Sequence, residues 1–155
     1  MPSKIKIKLI SLYEVPQIKG LQDAYKALGK DPARYRGYQE ALIRRVLQGK
    51  GLYQINTVVD IDNLISLETL HSVGSCDIDN LKTQVIFRRE KPGESYKGIG
   101  KEIVKIASLP VFVDEIGPFW SPTSDSERTM ITLNTKKMMT VIISFTGQKN
   151  LRDQL

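Results

Sequence analysis

Residues 56–81 read Asn56-Thr57-Val58-Val59-Asp60-Ile61-Asp62-Asn63-Leu64-Ile65-Ser66-Leu67-Glu68-Thr69-Leu70-His71-Ser72-Val73-Gly74-Ser75-Cys76-Asp77-Ile78-Asp79-Asn80-Leu81. Val58, Ile61, Leu64 and Ile65 recur at helical spacing, with Asp60, Asp62, Asn63 and Ser66 mostly on the other side. The spacing predicts an amphipathic helix over 57–67. Asn56 stands where its side chain can cap that helix. After Glu68 the period stops, and Ser72, Gly74 and Ser75 make a short run of small residues before a turn at 77–81. A helix thus delivers a Gly/Ser-lined backbone segment to one place in the fold.

Upstream of this stretch, Lys4, Lys6 and Lys8 alternate with Ile5, Ile7 and Leu9. That period of two predicts a strand over 4–10 with one buried face. Pro16 suits a first helical position, Ile18, Leu21, Tyr25 and Leu28 form a stripe, and Gly29 and Pro32 close the helix. A second helix over 38–47 is expected to bury Ala41, Leu42, Ile43 and Val46. Downstream the character turns to β. Short strands are expected at 85–87, 96–99, 102–106, 111–114 and 117–120, with Pro92-Gly93 marking a turn. Spacing this close suggests a meander that curls or closes against the helices. Pro118 and residues 122–125 read as an irregular loop, 138–145 as a mostly buried strand, and 147–155 as the first turns of a helix. The abrupt start and early stop suggest a single domain over 1–155 that is trimmed at both ends relative to full-length relatives.

With 155 residues and 41% hydrophobic content, the chain is long enough for one core and short for two domains. Twenty-three Lys and Arg against 17 Asp and Glu leave a net charge of +6. That balance is compatible with a polyanionic partner and equally with a basic soluble surface. One cysteine excludes an internal disulfide framework and a Cys-rich zinc site, and fits a reducing, cytoplasmic setting. Cys76 reads as a small buried apolar residue. No apolar run is long enough to cross a bilayer, so no membrane partner is expected. The densest basic run is 30–50, where Arg34, Arg36, Arg44, Arg45 and Lys50 are interleaved with Tyr35, Tyr38 and Tyr53. Cations and stackable rings together suit RNA. The same tyrosines also fit as core anchors, and the arginines as a solvated helix face.

An ordered set of short motifs carries a resemblance. It comprises Lys30-Asp31-Pro32-Ala33-Arg34-Tyr35-Arg36, Glu40-Ala41-Leu42-Ile43-Arg44-Arg45-Val46, Asn56-Thr57-Val58-Val59-Asp60, Asn63-Leu64-Ile65-Ser66-Leu67-Glu68, Asp77-Ile78-Asp79, Arg88-Arg89, Gly93-Glu94 and Asp125-Ser126-Glu127-Arg128-Thr129. In this order the chain resembles the B3/B4 domain of the phenylalanyl-tRNA synthetase beta subunit, the tRNA-binding and editing insert, and more closely its free-standing homologues. The resemblance implies an α+β fold, with a barrel-like mixed or antiparallel β core and helices packed on one side. It implies tRNA or aminoacyl-tRNA as the partner, no DNA, no cofactor and no metal. The synthetase's amino-acid activation is not implied, because its catalytic parts have no room here.

In the synthetase the pocket hydrolyses a wrongly esterified amino acid, which needs an acyl-binding site, a placed water and donors for the oxyanion. Carried over, Glu127 would read the acyl group as part of a catalytic set with Ser126 and Thr129. Gly74, Ser75, Trp120 and Arg128 would line the pocket, and Arg34, Arg36, Arg44, Arg45, Lys50, Arg88 and Arg89 would hold the RNA. One departure stands out: the synthetase's histidine falls at Gly74 here, and His71, the only histidine, lies three residues earlier and reads as a surface or loop residue. Imidazole base catalysis is therefore in doubt. Two functions remain open, an aminoacyl-tRNA deacylase acting in trans and a tRNA-binding module without catalysis. A small-ester hydrolase would leave the basic run unexplained, and one histidine supports no covalent triad.

Overall fold

The computed structural model describes residues 9–147, apart from Thr83 and Lys101. The strand expected at 4–10 lies outside them except for Leu9 and Ile10, which open a short 3-10 helix, Leu9–Glu14. The helix expected from 147 onward lies outside them beyond Gly147.

α1 (Pro16–Ala27) starts on its proline, whose missing N–H costs nothing at a helix start, and buries Ile18, Leu21 and Tyr25 as the stripe predicts. Gly29, at φ 86°, turns the chain away in the left-handed region. α2 (Tyr38–Leu47) buries Leu42 and Ile43, but Gln39 and Glu40 take the other inward places, and Ala41 and Val46 are exposed. Hydrogen bonding sets that rotation: Gln22 Nε2 donates to Glu40 Oε2 at 3.0 Å and Arg44 Nε to Glu40 Oε1 at 2.9 Å.

α3 (Thr57–Thr69) is capped as expected, with Val59 N donating to Asn56 Oδ1 at 3.0 Å. Its polarity is the reverse of the expectation. Asp62, Asn63, Ser66 and Thr69 are buried, whereas Ile61 is 50% and Leu64 57% exposed. Buried polar groups are tolerated when they find partners, and each of these side chains has at least one, although Asn63 Nδ2 has none among the described residues. Ser75 Oγ donates to Asp62 Oδ1 (3.0 Å), Tyr38 Oη to Asn63 Oδ1 (3.0 Å), Ser66 Oγ to the His71 carbonyl (2.6 Å), and Thr69 Oγ1 to the Ile65 carbonyl (2.8 Å). Leu70, at φ 59°, ends the helix in the left-handed region and swings the chain into β1 within two residues.

β1 (Ser72–Asp77) is a fully buried strand rather than a loop of small residues, paired antiparallel with β8 (Met138–Ile143), Gly74 opposite Val141. β8 is only partly covered, and among the described residues β1 is its one partner, in a two-stranded sheet. A second sheet runs in the order β2 (Ile86–Arg89), β5 (Pro110–Val113), β6 (Pro118–Ser121), β7 (Ser124–Asp125). β3 (Ser95–Lys97) and β4 (Ile103–Lys105) form a separate hairpin. The α+β class and antiparallel pairing are observed, but the sheets do not close into a barrel among the described residues. Strands of two to four residues span too little length to wrap round, and a bulge between Phe112 and Val113 shifts the register of β5 on β6.

The apolar core has three parts. Leu21, Tyr25, Tyr96 and Val111 lie between α1 and the sheets, Leu12, Ile18 and Ile43 between α1 and α2, and Cys76, Phe119 and Trp120 where β1 meets β6. The last part carries a functional consequence, because it leaves one side of Trp120 on a cavity. None of the described helices is long and apolar enough to cross a membrane.

Candidate functional site

Between α2, α3, β1 and β6–β7 lies a cavity of about 490 Å³. Val59, Val73, Ile99, Met130 and Ile131 give it apolar walls, and Ser75, Trp120 and Asp125 supply polar groups. Tyr38 and Tyr53 stand at its edge and also line an adjoining cleft of about 260 Å³, which carries Arg36, Arg44, Arg45 and Lys50. The basic run and the apolar cavity therefore meet at two tyrosine rings.

Asp125 is the unusual member of the cavity. Burial pushes its carboxyl up to about 6, helped by the nearby Asp62 carboxylate, while the Trp120 indole pulls it partly back. The indole Nε1 makes no regular hydrogen bond among the described residues. Asp62 is raised as well, by burial, despite the bond from Ser75. No Lys, Arg or His is among the described residues that line the cavity. Three buried polar atoms without a partner among the described residues, Arg45 Nε, Trp120 Nε1 and Ser124 Oγ, belong to residues of the cavity or the cleft. The other two such atoms, Asn63 Nδ2 and His71 Nδ1, belong to residues that line neither.

The basic residues divide. Arg45 stacks on Tyr53, 3.8 Å from guanidinium carbon to ring centroid, and neither Arg45 nor Lys50 has an ion pair among the described residues. Arg44 is held by Glu40 and donates to Tyr13 Oη at 2.7 Å, and Arg36 lies 3.7 Å from the same Glu40. Arg34 is exposed near the start of α2. Arg88 and Arg89 are on β2, where Arg88 pairs with Glu94 at 2.7 Å and Arg89 with Glu90 at 3.4 Å. The structure thus groups Arg36, Arg44, Arg45 and Lys50 and does not place Arg88 and Arg89 in their cleft.

The Ser126-Glu127-Arg128-Thr129 segment points elsewhere. Glu127–Thr129 is a 3-10 turn capped by Ser126, whose Oγ accepts from Arg128 N at 3.1 Å. Glu127, 41% exposed, pairs with Lys97 at 3.0 Å in an outer cleft of about 410 Å³ that Ser126 and Arg128 also line. Arg128 forks onto Asp114, with both nitrogens at 2.9 Å. Thr129 is buried and lines none of these three cavities.

Ser75 and Trp120 do line the large cavity, and Gly74 stands behind it. A Cβ at Gly74 would come 2.9 Å from Trp120 Cε2, so the close approach this glycine permits is to the indole. Any side chain there, histidine included, would collide with that ring. His71 is not a surface residue: it is 1% exposed, its Nε2 lies 3.1 Å from Ser144 Oγ, and burial lowers its pKa. The reason is that the turn at Leu70 leads within one residue into the buried strand β1, so His71 is already inside the fold. Cys76 is buried as expected, and burial raises its thiol to about 11, too high for a nucleophile.

Sequence reasoning placed Tyr38, Tyr53, Ser75 and Trp120 near the site but passed over Asp125 and Asp62. Asp125 sat inside an expected loop with no periodicity to aim it, and Asp62 was assigned to the solvent face of α3. A model of the B3/4 domain family matches residues 20–153 of the chain. A search of curated proteins gave no match.

Proposed function

The chain belongs to the B3/4 domain family, and from that membership we propose that it binds the aminoacylated 3′ end of a tRNA. The supporting observation is the junction at Tyr38 and Tyr53, where a basic cleft opens directly beside an apolar cavity. In this reading Arg45 and Lys50, which are not neutralised by a described carboxylate, take phosphates, and Arg36 and Arg44 add positive potential at reduced strength. A base of the single-stranded end stacks on Tyr53, whose ring Arg45 already orients. The acyl group then lies in the cavity against Trp120.

Binding of uncharged tRNA at several salt concentrations tests this. The double variant Arg45→Ala, Lys50→Ala is expected to bind more weakly and to lose roughly 1.5 to 2 from the log–log salt slope, about one unit per phosphate contact removed. An unchanged slope takes that cleft out of the interface.

Hydrolysis of the ester in trans is a second reading, favoured by Glu127 sharing a solvent-open cleft with Ser126. Its carboxylate is the group on that segment that water can reach, with Lys97 holding it in place. Release of amino acid from a panel of mischarged tRNAs, compared between the wild type and Glu127→Ala, decides it. Release lost in the variant supports the hydrolase; no release beside salt-sensitive binding leaves a binding module.

A further inference from the structure

A carboxyl group buried without a cation is costly to ionise, so a site that keeps one has a use for its charge when a ligand arrives. Asp125, largely though not fully covered, has no cationic partner among the described residues. The titratable groups close enough to act on it electrostatically are Asp62 on α3, Tyr38 on α2, Cys76 on β1 and Tyr96 on β3, none of them basic. Around it the cavity is apolar, and the described lining offers nothing positive for a ligand's own carboxylate.

We propose that Asp125 is the specificity-determining residue of the cavity, its carboxylate receiving the ammonium group of an apolar amine whose neighbouring carboxyl is masked as an ester or amide. This rests on the aminoacyl-end reading above and deepens it. The ammonium supplies an ion pair that none of the described residues gives Asp125. The apolar side chain fills the space between Val73, Ile99 and Met130, and the carbonyl faces Ser75 and Trp120. A free amino acid carries the same ammonium and side chain but also a carboxylate, which would be desolvated beside Asp125 and Asp62 with no cation among the described lining to meet it. The cavity therefore separates aminoacyl groups from the zwitterions that surround them in solution. An amine with a polar side chain would lose the hydration of that side chain against apolar walls.

The test uses the intact chain and four probes: leucinamide, phenylalaninamide, the free amino acid leucine, and 4-methylpentanamide, which is leucinamide without its amine. Binding is followed by calorimetry and by the fluorescence of Trp120, the one tryptophan in the chain. Leucinamide or phenylalaninamide is expected to bind, with leucine and 4-methylpentanamide each weaker by about tenfold or more, the usual scale for leaving a buried charge without its partner. Affinity for the amide should rise between pH 5 and pH 7 as Asp125 ionises, and Asp125→Asn should remove both the rise and the preference for an amine. Equal binding of leucine and leucinamide, no binding of either amide, or an undiminished amine preference in Asp125→Asn overturns the proposal. The uncharged-tRNA experiment reads only the basic cleft. Salt-sensitive tRNA binding without amide binding would sink this inference alone, and amide binding without tRNA binding would sink the RNA reading alone.

Discussion

Asp114 and Asp125 flank the same short sheet and meet opposite fates. Asp114 follows β5 with its side chain fully covered, and burial alone would raise its pKa. The two nitrogens of Arg128 and the N–H groups of Lys82 and Gly117 override that and hold it at about 2. Asp125, at the end of β7, is buried among an acid, two phenols and a thiol, and is pushed up to about 6. The difference lies in the partners, since both carboxyls are desolvated. One carboxylate is answered by its own chain and serves the fold; the other is left for a visitor. In the same way Glu40 commits Arg36 and Arg44 to structure, while Arg45 and Lys50 stay available.

The sharpest way to break this contrast is Arg128→Ala. Removing the partner of a buried carboxylate should cost about 3 kcal/mol in urea denaturation at pH 7. The sign with pH follows from the lowered pKa: the pair stabilises above the unfolded aspartate value of about 3.9 and is lost as pH falls through about 2. The deficit of the variant should therefore shrink toward pH 2. A cost below about 1 kcal/mol at pH 7 would mean that Arg128 is not committed to Asp114, and would reopen the expectation that it lines a ligand pocket.

Asp125→Asn should act in the other direction. A carboxyl with its folded pKa near 6 favours the fold while protonated, so wild-type stability is full below about pH 4 and falls as pH rises through 6. The amide keeps the shape and drops the charge, and above pH 7 it should be more stable by about 2 kcal/mol, after a discount for the partial exposure of the residue. The gain should vanish near pH 4. A variant less stable than the wild type at pH 8 would show that Asp125 already has a stabilising partner, which would remove the basis for reading it as a ligand group.

These two aspartates also show what the sequence could and could not reveal. Capping and breaking are local chemistry, so Asn56, Pro16 and Gly29 marked their helix ends, and the β-rich second half was legible from its turns. Which face of a helix is buried is decided by what waits on the other side. On α3 the partners are Tyr38, Ser75 and the His71 carbonyl, two of them contributed by other elements, and together they turned a polar stripe inward against the hydrophobic pattern. Asp62 was missed for that reason, and Asp125 because a two-residue strand after a turn has no periodicity to aim it. Gly74 was noticed as a departure, but its cause is the Trp120 ring across the strand, which no spacing along the chain encodes.

The smallest effect tests the inversion of α3 that walls the cavity. If the polar side of this helix is committed to the network beside Asp125, its apolar side is dispensable. Leu64→Gln should then change stability by no more than about 0.5 kcal/mol, as for an ordinary exposed helical position, since glutamine is as good a helix former as leucine. Asn63→Ala, one residue away, should cost about 1 to 3 kcal/mol, because it empties a fully buried position and removes the acceptor of the partly buried Tyr38 hydroxyl. The hydrophobic pattern alone predicts the opposite ranking, with the leucine change costing several times the asparagine change. Thermal or urea denaturation of the two variants side by side separates the cases. A costly Leu64→Gln would mean that this face is covered, and the Asp62 network would then no longer stand as the wall behind Asp125.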